Sequence, residues 1–373
     1  MTLQEQSSWK VNYRTGLAKG LLRVTLVALL IVVLWHYFQS LDLSLVADRI
    51  RGGGLALLVI LVPYGFIFLM ESVAWQLTIG GPVRPGLGKL YLIRVATDAL
   101  MYSIPGGVAV AEPMRPVLLQ KKCGIELTEG IGSCIITKIN IAVAQFAYIL
   151  LGFILVTTFY PGVTLQLGVG NGFGGYLLVG LSLLFAIGLL TLPFSGPRLT
   201  QLSRALARLP FTPIRKFILR VQPSIKQLDL QVGGFARDHT FRFIGSLLFA
   251  FTGWVLVALE TYLILRFLGS EPTFTQAIAL EGTASILRIV FFFLPAGIGA
   301  SEVGFITLLV AFGFPDPVTL GAAYIAVKRL KEVAWVAFGY LVFWSAGLNP
   351  FGRVKARLQV TIASPALEIS TDE

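Results

Sequence analysis

Charge is what this chain lacks most. Asp, Glu, Lys and Arg make up 13% of its 373 residues, against 55% hydrophobic residues. A soluble domain is about 25% charged, so a water-facing globule is excluded. Cysteine is nearly absent: Cys123 and Cys134 are too few and too close for a disulfide framework. His36 and His239 are the only histidines and stand in different contexts, so no zinc site can be assembled and neither metal nor cofactor is expected. No Walker A sequence is present, which argues against ATP hydrolysis. The stretch Gly297 to Gly304 superficially resembles a glycine-rich nucleotide loop, but the strand and crossover such a loop requires are missing. With no nucleophile–base pair in a soluble domain, the chain is not expected to be an enzyme. The 30 Lys and Arg outnumber the 19 Asp and Glu. Most of them gather in a few loops, as the positive-inside rule expects of cytoplasmic segments. Nucleic acid is therefore not an expected partner.

What the chain has is apolar sequence in runs of membrane-spanning length. The pattern predicts an all-α polytopic membrane protein with about six full transmembrane helices and two re-entrant helical hairpins in an inverted repeat. Residues 1–20, with Lys10, Arg14 and Lys19, read as a cytoplasmic N-terminus. The apolar run that follows is long and has no small-residue cleavage site, so it reads as a retained first span over 21–38 rather than a signal peptide. Residues 39–54 read as an external loop of mixed charge, and further spans are expected over 55–79 and 131–159. The first membrane repeat thus covers 21–159 and includes a hairpin at 89–122. An uncharged, glycine-rich external loop follows at 160–175. The second repeat covers 176–344, with spans at 176–194, 243–265 and 319–344 and a hairpin at 273–314. Between its first two spans lies a segment, 195–242, carrying nine Lys or Arg against Asp229 and Asp238. There Arg204, Arg208 and Arg215 flank apolar residues. This segment is either an amphipathic helix on anionic cytoplasmic headgroups or a solvated loop that sets topology. Residues 345–373, with Arg353, Lys355 and Arg357, read as a cytoplasmic tail.

The hairpins share one construction. An apolar run ends on Pro105 or Pro295, glycines follow (Gly106 and Gly107; Gly297 and Gly299), and a glutamate stands seven residues after each proline, Glu112 and Glu302. A lysine follows each proline by thirty-three residues, Lys138 and Lys328, and a charged residue precedes it by seven, Asp98 and Arg288. Glu71 and Glu260 lie thirty-four and thirty-five residues before. Several ionisable positions in near-constant register point to an internal duplication. Three full spans separate the hairpins, an odd number, so the two would enter from opposite leaflets. Many secondary transporters are built this way, with the site at the repeat interface near the midplane.

Glu71, Asp98, Glu112, Glu260, Glu281, Glu302 and Glu332, with Arg94, Lys138, Arg288, Lys328, Arg329 and Lys331, all fall in membrane-embedded segments. Each costs roughly 2.5–3.5 kcal/mol at a helix centre, whereas a Leu or Ile returns only about 0.3–0.6 kcal/mol. The near balance of sign favours pairing. Glu112 with Lys138 and Glu302 with Lys328 are the expected pairs, both twenty-six residues apart. Asp98 and Arg288 hold equivalent places and could meet across the pseudo-two-fold axis. One reading is structural: buried ion pairs that set helix register, and glycines that allow tight turns and close packing. The other is functional. Each exiting half-helix would aim N–H groups into a polar cavity as an anion site. Gly106, Gly107, Gly297 and Gly299 would form it, with Arg115, Lys138, Arg288, Lys328 and Arg329 binding substrate. Glu71, Asp98, Glu112, Glu260, Glu302 and Glu332 would balance charge or couple ions.

At Pro295-Ala296-Gly297-Ile298-Gly299-Ala300-Ser301-Glu302, and at Pro105-Gly106-Gly107 through Glu112-Pro113-Met114-Arg115, the chain resembles the lysylphosphatidylglycerol synthase transmembrane-domain family. Members carry a proline–glycine stretch leading to G-x-x-E and an earlier G-G-x-x-x-E-x-x-R element. Ala109 stands where the second copy has Gly299, which suggests a tighter first hairpin. In two-part members of that family this region is associated with flipping an aminoacylated phospholipid, while a separate soluble domain makes it. That domain is not expected here. The resemblance therefore implies a lipid flippase in a bacterial-type inner membrane, with the stand-alone, hopanoid-associated branch as the suggested place in the family. Its substrate would be a phospholipid, polyprenyl phosphate or hopanoid-type lipid, and membrane lipids would be its partners. The alternatives are a secondary transporter of a small anion and a non-catalytic accessory to a lipid-synthesis enzyme.

Overall fold

The computed structural model describes residues 43–103, 107–166, 173–191, 229–290 and 300–345, together with 200–201, 204 and 225–226. Every regular element among them is helical. In chain order they are α1 (Leu43–Gly53), a 3-10 segment (Gly54–Ile60), α2 (Leu61–Thr78), α3 (Leu87–Ser103), α4 (Val108–Cys123) and α5 (Leu127–Phe159). Then come α6 (Pro161–Gln166), α7 (Phe173–Thr191), α8 (Thr240–Phe267), α9 (Phe274–Val290), α10 (Ala300–Ala311) and α11 (Pro317–Ser345). Residues 229–238 are helical as well. Three helical stretches among the described residues are long and apolar enough to cross a membrane: Leu58–Thr78, Leu127–Phe159 and Thr240–Phe267. Helix α11 runs for 29 residues but carries Lys328, Arg329, Lys331 and Glu332 at its centre. The chain is an all-α polytopic membrane protein. The expected first span, 21–38, lies outside the described residues.

The helices repeat in register. Pro105 and Pro295 stand 190 residues apart, and the same offset carries the start of α5, Leu127, onto the start of α11, Pro317. It also brings α3 and α4 within a few residues of α9 and α10. Each proline–glycine element is flanked by a short helix pair, α3–α4 and α9–α10, whose members pack along each other. The tips of both pairs, 104–106 and 291–299, lie outside the described residues.

The expected external loop at 39–54 is instead helical from Leu43 to Gly53. Val46 packs into the core with Ile50 beside it. Asp48 and Arg51, one turn apart, pair at 3.3 Å on the exposed side. Helical spacing sets Asp48 and Arg51 on the exposed side and turns Val46 and Ile50 inward, and a count of charges alone misses that. Arg49 anchors this helix by donating to Leu268 O at 3.2 Å and to Asp316 Oδ2 at 3.0 Å.

The chain forms two compact units, each drawn from separate segments. The first takes residues up to Ile67, then 141–191 and 250–330; the second takes 68–140, 192–249 and 331 onward. Ile264, Leu265, Leu280, Leu309, Leu320 and Tyr324 fill the core of the first. Trp75, Leu90, Leu100, Leu119 and Phe343 fill that of the second. A glycine contact fixes the leading helix of each pair. In the first unit Gly282 of α9 crosses Gly152 of α5 so closely that an added Cβ would sit 2.8 Å from the other's Cα. Nearby, Tyr148 donates its hydroxyl to Ile278 O at 3.4 Å. In the second unit Gly339 of α11 lies against α3, where a Cβ would meet Val95 O at 2.7 Å. Small residues let backbones approach this closely, which is how helices associate where no hydrophobic drive exists between them. In both units the leading helix of one repeat's pair rests on the long final helix of the other repeat.

Candidate functional site

In the second unit, four helices converge on an alternating row of charges. Helix α3 carries Arg94 and Asp98 one turn apart, and α4 carries Glu112 and Arg115 three residues apart, so each pair shares a face. Glu71 comes from α2 and Lys138 from α5. Glu71 pairs with Arg94. Arg94 Nε lies 3.7 Å from Asp98 Oδ1. Asp98 receives Arg115 Nη2 at 2.9 Å, and Arg115 Nη1 donates to both Glu112 oxygens at 3.0 and 2.9 Å. Lys138 Nζ closes the row on Glu112 Oε1 at 2.6 Å. Three acids meet three bases, so the row is neutral overall.

Its two ends differ. Arg115 is enclosed, with its remaining donor, Nε, on Thr97 Oγ1 at 3.1 Å and a side chain only 4% exposed. The Lys138 side chain is 43% exposed and its Nζ pairs with Glu112. A planar guanidinium engaged at all three nitrogens is a structural tie, whereas an ammonium at an exposed end can exchange partners. Of the two expected ligands, Lys138 is the available one. Around them α2 and α5 are joined by smaller polar groups: Trp75 Nε1 donates to Ser133 Oγ at 3.1 Å, and the Thr78 and Thr137 hydroxyls lie 2.8 Å apart.

The first unit holds a smaller cluster around Glu281, which is fully buried on α9. One carboxylate oxygen, Oε1, accepts from Thr261 Oγ1 at 2.6 Å, Tyr324 Oη at 2.9 Å and Lys328 Nζ at 3.2 Å. Lys328 Nζ also reaches Tyr324 Oη at 3.0 Å. Phe305 stacks on Tyr324 with ring centroids 4.0 Å apart, covering the cluster.

Glu112 and Lys138 pair as their spacing suggests. Lys328 does not have only its expected partner to meet: it pairs with Glu281, while the side chain of Glu302 lies outside the described residues. Asp98 pairs with Arg115 and Arg94 on its own repeat, and the Arg288 side chain also lies outside the described residues, as do Gly106, Gly297 and Gly299. Gly107 is buried at the N-terminus of α4 in ordinary helical conformation, and its carbonyl accepts from Val110 and Ala111 at 3.0 and 2.7 Å. Glu260 is buried in the first unit, where Arg329 is half-buried, and Glu332 is half-buried in the second. Sequence reasoning left Thr97, Thr261, Glu281 and Tyr324 out of the site. The 190-residue register offers a signal for one of them. It matches Thr261 to Glu71, so a polar residue stands in the same row in both repeats.

These observations define a multi-pass helical membrane protein with ionised networks buried in its bundle. The chain belongs to the lysylphosphatidylglycerol synthase TM region family, which matches residues 20–330. Membership ties it to membrane-lipid function. No curated protein and no solved structure matches it.

Proposed function

We propose that this protein is not an enzyme but a lipid flippase or transporter. It moves an amphiphile by holding the headgroup in a polar cavity at mid-membrane depth while the acyl chains stay in the bilayer. The observation that supports this best is the row from Glu71 to Lys138. Fixing helix register needs one or two pairs, whereas this row joins six embedded charges and ends at a half-exposed ammonium. A phosphate-bearing headgroup arriving at Lys138 replaces Glu112 as the counterion. Glu112 keeps both of its hydrogen bonds from Arg115 Nη1, so it is not left without a partner in low dielectric. Lys328 and Arg329 serve the same purpose in the second repeat, with Glu260, Glu302 and Glu332 balancing charge. Phospholipids, polyprenyl phosphates and, with the charge requirement relaxed, hopanoid-type lipids are the substrate classes. The distribution of Lys and Arg supports an inner membrane with both termini cytoplasmic, where a lipid-synthesis enzyme is a natural partner.

The test is lipid translocation in reconstituted vesicles, using tail-labelled phosphatidylglycerol. Lys138→Gln and Lys328→Gln should each lower the rate about tenfold or more while the protein stays folded, because a charge-assisted contact is worth roughly 1.5–3 kcal/mol. Equal rates in both variants and the parent would sink the site. Lysine-dependent uptake of inorganic phosphate with no lipid movement would mark a small-anion carrier instead.

A further inference from the structure

Where α2 ends and α8 begins, in the second unit, two arginines converge on a single carbonyl. Arg242 Nη2 donates to Ile79 O, and Arg84 Nη1 reaches the same oxygen at 3.4 Å. Both side chains are held in place. Arg242 lies over the Phe235 ring, 5.4 Å from its centroid. The Arg84 loop is pinned by Gln76 Nε2 donating to Pro85 O at 2.8 Å. No carboxylate among the described residues pairs with either guanidinium. Glu129, in the first turn of α5, accepts the Gly81 N–H, and Asp238, one turn before Arg242, forms no ion pair with it. Arg242 Nη1 is buried and has no hydrogen-bond partner.

A cation at the end of a helix satisfies its last carbonyls and its dipole, and one guanidinium is enough for Ile79. The second brings like charge beside the first, and the two guanidiniums repel each other. Arg242 Nη1 meanwhile stands as a buried donor with no acceptor, which is unfavourable. A single anion relieves both. Phosphate oxygens match the guanidinium fork and can accept from Arg242 Nη1 and Arg84 together. The place also fits, since Leu58–Thr78 and Thr240–Phe267 are long enough to span a bilayer, and helices of that length end near the headgroups.

We propose that Arg84 and Arg242 form a seat for one phosphate monoanion, of the kind an anionic phospholipid headgroup presents, beside the Ile79 carbonyl just past the end of α2. This seat is separate from Lys138 and stands whether or not the protein moves lipid.

Native mass spectrometry of the full chain, released from micelles containing phosphatidylglycerol or phosphatidylcholine, tests it. The parent should retain a phosphatidylglycerol adduct in preference to phosphatidylcholine. Arg84→Gln, an exposed change that keeps the Arg242 cap, should weaken retention about tenfold, the equivalent of roughly 1.4 kcal/mol. Arg242→Gln should do the same wherever it elutes as a folded monodisperse species. Neutralising the exposed neighbour Arg237 should change nothing. Displacement of the adduct by millimolar inorganic phosphate would identify free phosphate as an occupant of the same seat. Undiminished adducts in Arg84→Gln, or an equal loss in Arg237→Gln, would overturn the seat and leave the two arginines as a helix cap.

Discussion

Arg115 and Lys138 share one carboxylate, and their surroundings give them different work. Removing Arg115 strands Asp98 and Glu112 in the bundle, and breaking a buried pair typically costs about 3–5 kcal/mol. Removing Lys138 leaves Glu112 still bound to Arg115, and because the lysine is half-exposed the loss should be about 1 kcal/mol or less. Arg115→Gln should therefore unfold at a clearly lower temperature than Lys138→Gln in detergent, even though the second is the variant expected to stop transport. The opposite ranking would mean that Lys138 is the structural member of the row. Part of this was readable beforehand: the constant distances from each proline pick out Glu112 and Lys138 as partners. The pairing of Lys328 with Glu281 was not readable. Two acids within one hairpin are equally plausible by spacing, and only packing brings Thr261 and Tyr324 to the same oxygen.

At the scale of helices, length and hydropathy locate the elements well. A span expected over 243–265 is a helix over Thr240–Phe267, and one expected over 131–159 is Leu127–Phe159. Helix α1 was missed because its charges hid an amphipathic face. Glycines were harder to interpret, since sequence cannot separate a turn from a contact. Gly282 is a contact. Gly282→Leu should force α9 from α5 and destabilise the protein by about 1–3 kcal/mol, the usual range for overpacking. Gly180→Leu on α7, where an added Cβ meets open space, should leave the melting temperature nearly unchanged. Similar melting curves for the two variants would show that the crossing tolerates separation.

Considered as a whole, the molecule joins segments that lie far apart in the chain. Helices α2, α5, α8 and α11 each give residues to both units. That arrangement was only half legible. The duplicated prolines, glutamates and lysines announce two copies, but no one-dimensional pattern says which copy a given helix will rest on. Each unit closes with a helix lent by the other copy, at Gly152–Gly282 in one and at Gly339–Val95 in the other. Such reciprocity has a biosynthetic consequence. A polypeptide severed between Pro210 and Phe211 yields two pieces, and each lacks the surface on which its own proline–glycine pair must settle. Made singly, either piece should be cleared by proteolysis; made in one cell, they should accumulate and co-purify. Newly translated chain should likewise remain open to quality control until α11 has entered the membrane.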